Sequence, residues 1–127
     1  MRVLVVDDSR TMRAIIGRIL KELAFEVHEA ESGIEALAAL RSQTPFDLVL
    51  LDWNMPHMDG FELLKRIRGE ARFEDLPVMM VTTENELSQV EVALEGGANE
   101  YLMKPFDKQG LLQKLLLLGI DPESRAA

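Results

Sequence analysis

Short, unbroken apolar runs constrain the fold of this chain more than any other feature of its sequence. Three of them, at 3–6, 48–51 and 78–81, are each four residues long and do not alternate with polar residues. Such runs are typical of central strands in a parallel sheet, buried on both faces, whereas a buried helix needs a longer run. Segment 25–30 alternates apolar and polar residues, as an edge strand does, and 101–103 is a fifth short candidate.

Helical patterns separate these runs. Ser9 stands at an N-cap position before the first helix, and Ser32 with Glu35 forms a predicted capping box at the second. On the second helix we place Ile34, Leu37, Ala38 and Leu40 on the inner face. A third helix follows Asp59, a fourth covers about 87–94, and a fifth begins near Asp107.

Strands and helices thus alternate five times along the chain. This pattern predicts an α/β fold, with a single doubly wound, five-stranded parallel sheet in the order 2-1-3-4-5 and five helices. We assign residues 1–119 to one domain and 120–127 to a short polar tail. A chain of 127 residues is long enough to bury one core.

Composition excludes several classes of function. The chain has no cysteine, so disulfides, thiolate catalysis and cysteine-ligated metal sites are ruled out. Its formal net charge of −8, with 14 basic against 22 acidic residues, argues against a nucleic-acid partner. We interpret the basic cluster on the first helix as a solvated face; it comprises Arg10, Arg13, Arg18 and Lys21. No apolar run approaches the ~20 residues that span a bilayer, and we expect a cytoplasmic protein.

Chemically active side chains stand where the central strands end. Asp7 and Asp8 follow the first strand, Asp52 ends the third, Thr82 ends the fourth, and Lys104 follows the fifth. In this kind of sheet, ligands bind outside the carboxyl ends of the strands. With the order 2-1-3-4-5, the three carboxylates converge at one shared edge, with Thr82 and Lys104 on the other side of the same pocket.

Three adjacent carboxylates repel one another, and a hard divalent cation relieves that repulsion. Mg²⁺ takes a few carboxylate or carbonyl oxygens and leaves room for phosphate oxygens. A phosphoryl group at Asp52 would meet the cation, the Thr82 hydroxyl and the Lys104 ammonium. Taken singly, these residues have simpler interpretations: Asp7 and Asp8 as an acidic helix start, Thr82 as a cap.

Four segments of the chain resemble the receiver domains of two-component signalling. They are 5–9, with its Asp pair, 52–60, which reads Asp-Trp-Asn-Met-Pro-His-Met-Asp-Gly, 81–84 and 101–106. The resemblance covers essentially the whole chain and, in 52–56 and 11–13, is strongest to the stand-alone chemotaxis members. It implies a signalling switch, phosphorylated by a histidine kinase, and not a turnover enzyme.

The resemblance also implies a role for each site residue. Asp52 is the expected phosphoacceptor. Mg²⁺ is expected to bind the Asp8 and Asp52 carboxylates and the Asn54 backbone carbonyl, with Asp7 acting through a metal-bound water. Lys104 is expected to pair with the phosphoryl oxygens and to precede a cis proline.

Further expectations concern the readout. Thr82 moves toward the phosphoryl group, Tyr101 changes from an outward to an inward rotamer, and Asn54 and Glu84 tune hydrolysis of the aspartyl phosphate. An output protein is expected on the face of the fourth helix, fifth strand and fifth helix. The flagellar motor switch is one candidate, and a phosphatase is a further possible partner. We expect a monomer, no membrane contact and, since no second domain follows, output through protein contact alone.

Other functions stay open at this point. The short last helix, with Gly110 near its start, would suit a partner other than the motor, and a phosphorelay intermediate is the alternative within the family. An aspartate-nucleophile phosphohydrolase would need an acid at position 54, where this chain has Asn. A flavodoxin-like flavin carrier would need a Ser/Thr-rich phosphate loop, where this chain has Asp7 and Asp8, which would repel the flavin phosphate.

Overall fold

The computed structural model describes residues 1–42, 45–83 and 87–122, without the side chain of Leu87. Within them, five parallel strands form one sheet in the order β2-β1-β3-β4-β5, as predicted. The strands are β1 Arg2–Val6, β2 Glu26–Ala30, β3 Leu48–Asp52, β4 Val78–Thr82 and β5 Glu100–Met103. The helices are α1 Arg10–Glu22, α2 Gly33–Arg41, α3 Gly60–Arg68, α4 Leu87–Glu95 and α5 Lys108–Leu117, with a 3₁₀ turn at Ala71–Phe73.

Both faces of the sheet are covered, which explains the unbroken apolar runs. Along β1, Leu4 and Val6 face a core cluster shared with α2, α3 and α4, whereas Val3 and Val5 face a second cluster shared with α1 and α5. Successive side chains of a strand point to opposite faces, so a strand covered on both sides must be apolar at every position. None of the helices in the described residues is long and apolar enough to cross a membrane.

The start of α2 corrects part of the sequence interpretation. Ser32 caps the helix as predicted, its Oγ accepting from the Glu35 N–H at 3.2 Å, but Glu35 Oε1 accepts from the N–H of Glu31 and not from that of Ser32. Ile34 is 73% exposed, and Ala38 is exposed as well. The inner face is instead formed by Gly33, Ala36, Leu37 and Leu40. Gly33 packs closely against Met58, whose side chain lies where a Cβ would be.

Helix α1 ends in a hydrogen-bonded cap that uses a left-handed residue. The Phe25 N–H donates to the Leu20 carbonyl and the Ala24 N–H to the Lys21 carbonyl, both at 3.0 Å. Ala24 has φ +68°, a conformation in which its Cβ is strained.

Arg68 makes several hydrogen bonds near the amino ends of β4 and β5, at the end of the sheet opposite the predicted site. Arg68, the last residue of α3, is hydrogen bonded to three carbonyl oxygens and one side chain. Its acceptors are the carbonyls of Phe73, Leu76 and Gly97 and the Asn99 Oδ1, at 2.6 to 2.9 Å. The guanidinium thereby joins the 3₁₀ turn, the segment before β4 and the turn between α4 and β5.

The leucine run at the end of α5 divides between core and surface. Leu115 is fully buried, whereas Leu116 and Leu117 are 50% and 71% exposed. After Gly119, the Ile120 N–H donates to the Leu115 carbonyl at 2.9 Å, and the Ile120 side chain joins the core cluster of α1 and α5. The core therefore includes Ile120, the first residue of the predicted tail.

Candidate functional site

Three carboxylates meet at the carboxyl ends of β1 and β3. The two strands are neighbours, with Val6 opposite Leu51, so the residues that follow β1 lie beside Asp52. Asp7, Asp8 and Asp52 each offer a carboxylate oxygen, and these oxygens lie within 4.8 Å of one another. Asp7 and Asp52 are 1% and 7% exposed, whereas Asp8 is open to solvent. The strand order thus produces the convergence that the sequence predicted.

One cation faces this cluster from β5. Lys104 Nζ lies 3.1 Å from Asp52 Oδ1 and 3.5 Å from Asp7 Oδ2. Its position is set by the backbone, because the Lys104 N–H donates to the Thr82 carbonyl at 2.7 Å. The peptide bond between Lys104 and Pro105 is cis. In the described part of the chain, the Lys104 ammonium faces three carboxylates, which leaves the pocket with an excess of negative charge.

Burial and the charges of the pocket change the pKa of the Asp52 carboxyl group. Its pKa is raised from 3.8 to about 6, first by burial and then by the neighbouring charge of Asp7, with a smaller contribution from Asp8. Lys104 opposes this rise by charge and by its hydrogen bond, but does not cancel it. The carboxylate form of Asp52 is therefore costly in this pocket unless a further cation is present.

The carboxylate oxygens of this cluster are suitable ligands for a hard divalent cation. Asp7 Oδ1 accepts a hydrogen bond from the Ser9 N–H at 2.8 Å, which fixes the orientation of the carboxylate. Asp7 Oδ2 is buried and accepts no hydrogen bond from the described residues, although it pairs ionically with Lys104. A buried carboxylate oxygen without a donor, within reach of two further carboxylates, is suited to Mg²⁺.

The structure also describes three of the other predicted site residues. Thr82 is 2% exposed at the end of β4, where its hydroxyl donates to the Thr83 carbonyl at 2.9 Å. Tyr101 is half-buried on β5, packed against the core cluster of α2, α3 and α4, with Lys114 Nζ 4.0 Å from its ring centroid. Asn54 is exposed, two residues beyond Asp52. Glu84 lies outside the described residues.

Arg13 contacts the site, although its sequence pattern predicts a solvated residue like the other basic residues of α1. The Arg13 side chain is only 12% exposed. Its Nη1 donates to the Asp7 backbone carbonyl at 2.7 Å and its Nε to Glu29 Oε1 at 3.0 Å. Arg10 and Arg18, on the same helix, are exposed. Nothing in the local sequence distinguishes Arg13 from them, because the difference depends on where β1 and β2 end.

Beside the carboxylates, Trp53 follows Asp52 directly and is 9% exposed. Its ring stacks on that of Phe61, with centroids 5.5 Å apart and planes 7° from parallel. Gly60 is the first residue of α3, and its N–H donates to the Trp53 carbonyl at 2.8 Å. Gly60 is required there, because a Cβ would overlap the Asp52 carbonyl oxygen.

Comparison with known proteins agrees with the fold and the site. The family model of the response regulator receiver domain matches residues 3–116. The chain is 46% identical over 116 residues to the chemotaxis protein CheY1 of Helicobacter pylori, covering 91% of this chain and 94% of that protein. It is 47% identical to a CheY homologue of Campylobacter jejuni, covering 91% and 89%.

Among solved structures, the Vibrio cholerae chemotaxis protein CheY4 is similar, with a TM-score of 0.85 and 36% identity, over 92% of this chain and 97% of that one. Family model, relatives and structure all match over nearly the whole length of the chain. The chain therefore belongs to the response regulator receiver domain family.

Proposed function

We propose that this receiver domain is a chemotaxis switch in which Asp52 accepts a phosphoryl group from a histidine kinase in a Mg²⁺-dependent reaction. The observation that carries the proposal is the position of Asp52, within 4.8 Å of two further carboxylates and 3.1 Å from Lys104 Nζ. Carboxylates close enough to share a cation, beside an ammonium, form the charge arrangement that phosphoryl transfer requires.

In the transfer, an Asp52 carboxylate oxygen attacks the phosphorus of a phosphohistidine. The phosphorus–nitrogen bond breaks, its electron pair stays on the imidazole, and that nitrogen takes a proton from solvent. With a pKa of about 6, Asp52 is mostly ionised at neutral pH and available as the nucleophile. Mg²⁺ would bind the carboxylates of Asp8 and Asp52, with Asp7 acting through a metal-bound water, and would there neutralise charge on the phosphoryl oxygens.

Lys104 has two tasks in this scheme. Before transfer, its ammonium offsets the charge of Asp52 and Asp7. After transfer, it would pair with a phosphoryl oxygen on Asp52. Asn54, exposed at the rim, would supply its backbone carbonyl to the metal and its side chain to the path of the hydrolytic water. Glu84, from the sequence motif, would share that second task.

We propose that phosphorylation of Asp52 is transmitted to the surface by a rearrangement of Thr82 and Tyr101. Thr82 is adjacent to Lys104 through the backbone bond at the β4 and β5 ends, and would reorient its hydroxyl toward the phosphoryl group. Tyr101 lies on β5, which follows α4 and precedes α5 along the chain. Both helices carry exposed apolar residues, Val92 and Leu94 on α4 and Leu116 and Leu117 on α5. An output protein, such as the flagellar motor switch of a chemotaxis pathway, would bind the surface of α4, β5 and α5.

The names of the similar proteins support chemotaxis as the pathway. We further propose a histidine kinase as the phosphodonor and a phosphatase as a further partner. We place the protein in the cytoplasm as a monomer. As a receiver domain it is a signalling protein and not a turnover enzyme.

The test is phosphorylation by acetyl phosphate, compared by intact mass. With Mg²⁺, wild type is expected to gain one phosphoryl group, and with EDTA none. Asp52→Asn is expected to gain none, whereas Asp59→Asn, a matched change at the exposed cap of α3, is expected to behave as wild type. A phosphoryl group on Asp52→Asn, or on wild type in EDTA, would refute the proposed site.

A further inference from the structure

A guanidinium links helix α1 to the backbone of the acidic cluster. Arg13 lies in the first turns of α1 with its side chain 12% exposed. Its Nη1 donates to the Asp7 carbonyl oxygen at 2.7 Å, and its Nε donates to Glu29 Oε1, on edge strand β2, at 3.0 Å. One side chain therefore connects α1, the end of β1 and the end of β2.

The remaining polar atoms of Asp7 are also held, with one exception. Its N–H donates to the Ala30 carbonyl at 3.1 Å, and its Oδ1 accepts from the Ser9 N–H at 2.8 Å. Oδ2 accepts no hydrogen bond from the described residues and faces Lys104. Asp7 is thus fixed on every side except that of the candidate metal position.

Holding the Asp7 carbonyl also orients the next residue. The peptide bond is planar, so the direction of the Asp7 carbonyl sets the direction in which Asp8 leaves β1. Asp8 is exposed, so packing contributes little to its position. The bond from Arg13 is short and charge-assisted, which makes it a strong restraint on this peptide group.

We propose that Arg13, itself held by Glu29, is a positioning residue that orients the Asp7–Asp8 peptide and thereby raises the affinity of the carboxylate cluster for Mg²⁺. This proposal rests on the proposed function, since it assigns Mg²⁺ to the cluster. The direction of the change in Mg²⁺ affinity distinguishes this positioning role from an effect of charge alone. Removing a cation from beside three carboxylates strengthens cation binding by Coulomb attraction alone, whereas removing a positioning contact weakens it.

The test is Mg²⁺ binding to purified Arg13→Met, with Arg18→Met as the matched control. Arg18 is exposed on the same helix, so both variants lose one positive charge from α1. Mg²⁺ alone is titrated, followed by Trp53 fluorescence and by calorimetry, and urea unfolding in EDTA confirms that each variant is folded. We expect the Kd of Arg13→Met to rise by about tenfold, and that of Arg18→Met to stay equal or fall slightly.

Two further variants keep the test decisive should Arg13→Met fail to fold. Glu29→Gln removes the charge that holds Arg13, and its Kd is expected to rise by about two- to threefold. Arg13→Lys can still donate to the Asp7 carbonyl and is expected to restore part of the affinity. A Kd for Arg13→Met or Glu29→Gln equal to or lower than that of Arg18→Met would overturn the positioning role. Failure of wild type to bind Mg²⁺ would instead overturn the proposed function, and this role with it.

Discussion

Replacing Asp52 by Asn is expected to stabilise the metal-free protein at neutral pH. The carboxyl group is 7% exposed, and burial with the charges of Asp7 and Asp8 raises its pKa from 3.8 to about 6 despite Lys104. One pKa unit corresponds to about 1.4 kcal/mol, so ionised Asp52 costs the folded state about 3 kcal/mol relative to the unfolded chain. Water at the open side of the pocket, beside Asp8, screens part of this, and we expect Asn to contribute about 1–2 kcal/mol.

The pH dependence follows from the direction of the pKa shift. Because the folded state binds the Asp52 proton more tightly than the unfolded chain, wild type loses stability as the pH rises from about 4 to about 6 and keeps that loss at higher pH. Asn does not ionise, so the variant has no such loss from this position. The advantage of Asp52→Asn should therefore be complete at pH 7 and vanish near pH 3.5.

The assay is urea unfolding followed by circular dichroism in EDTA, at both pH values, with Asp59→Asn as the control for an Asp-to-Asn change outside the pocket. Repeating the pH 7 measurement with Mg²⁺ should favour wild type, since a ligand at 100 times its Kd stabilises by about 2.7 kcal/mol. Asp52→Asn that is no more stable than wild type in EDTA at pH 7, or that has the same advantage at both pH values, would contradict the predicted cost of the ionised Asp52 carboxylate.

Three further predictions concern the framework of the fold, and the stability changes are measured by urea unfolding. Ala24→Gly should stabilise by about 0.5–1 kcal/mol, because φ +68° strains an alanine and suits a glycine; a loss would contradict the cap geometry. Arg68→Met should cost about 3 kcal/mol through its unpaired carbonyl acceptors, whereas Arg72→Met, which breaks an exposed ion pair, should cost less than about 1; equal losses would refute this. Gly60→Ala should cost at least about 2 kcal/mol and weaken Mg²⁺ binding, since its Cβ would displace the Asp52 carbonyl; unchanged binding would contradict the overlap.

The strands, the helices between them and the members of the carboxylate cluster could be predicted from the amino-acid sequence. Runs such as 48–51 have the length and composition of strands covered on both faces, and they could be assigned without knowledge of their partners. Asp7, Asp8, Asp52 and Lys104 were identifiable because each stands where a strand ends, and parallel strands end at one edge. Local pattern and topology together were sufficient for these residues.

The three-dimensional structure was needed to establish which side of a helix faces the sheet and which charged residue is buried. Helical periodicity is compatible with Ile34 on either side of α2, whereas in the structure Ile34 is 73% exposed and Gly33, Ala36, Leu37 and Leu40 are buried. Arg13 and Arg18 are equivalent in sequence, but only Arg13 reaches the carbonyl of Asp7. These outcomes depend on distances between segments far apart in the chain, which no local pattern encodes.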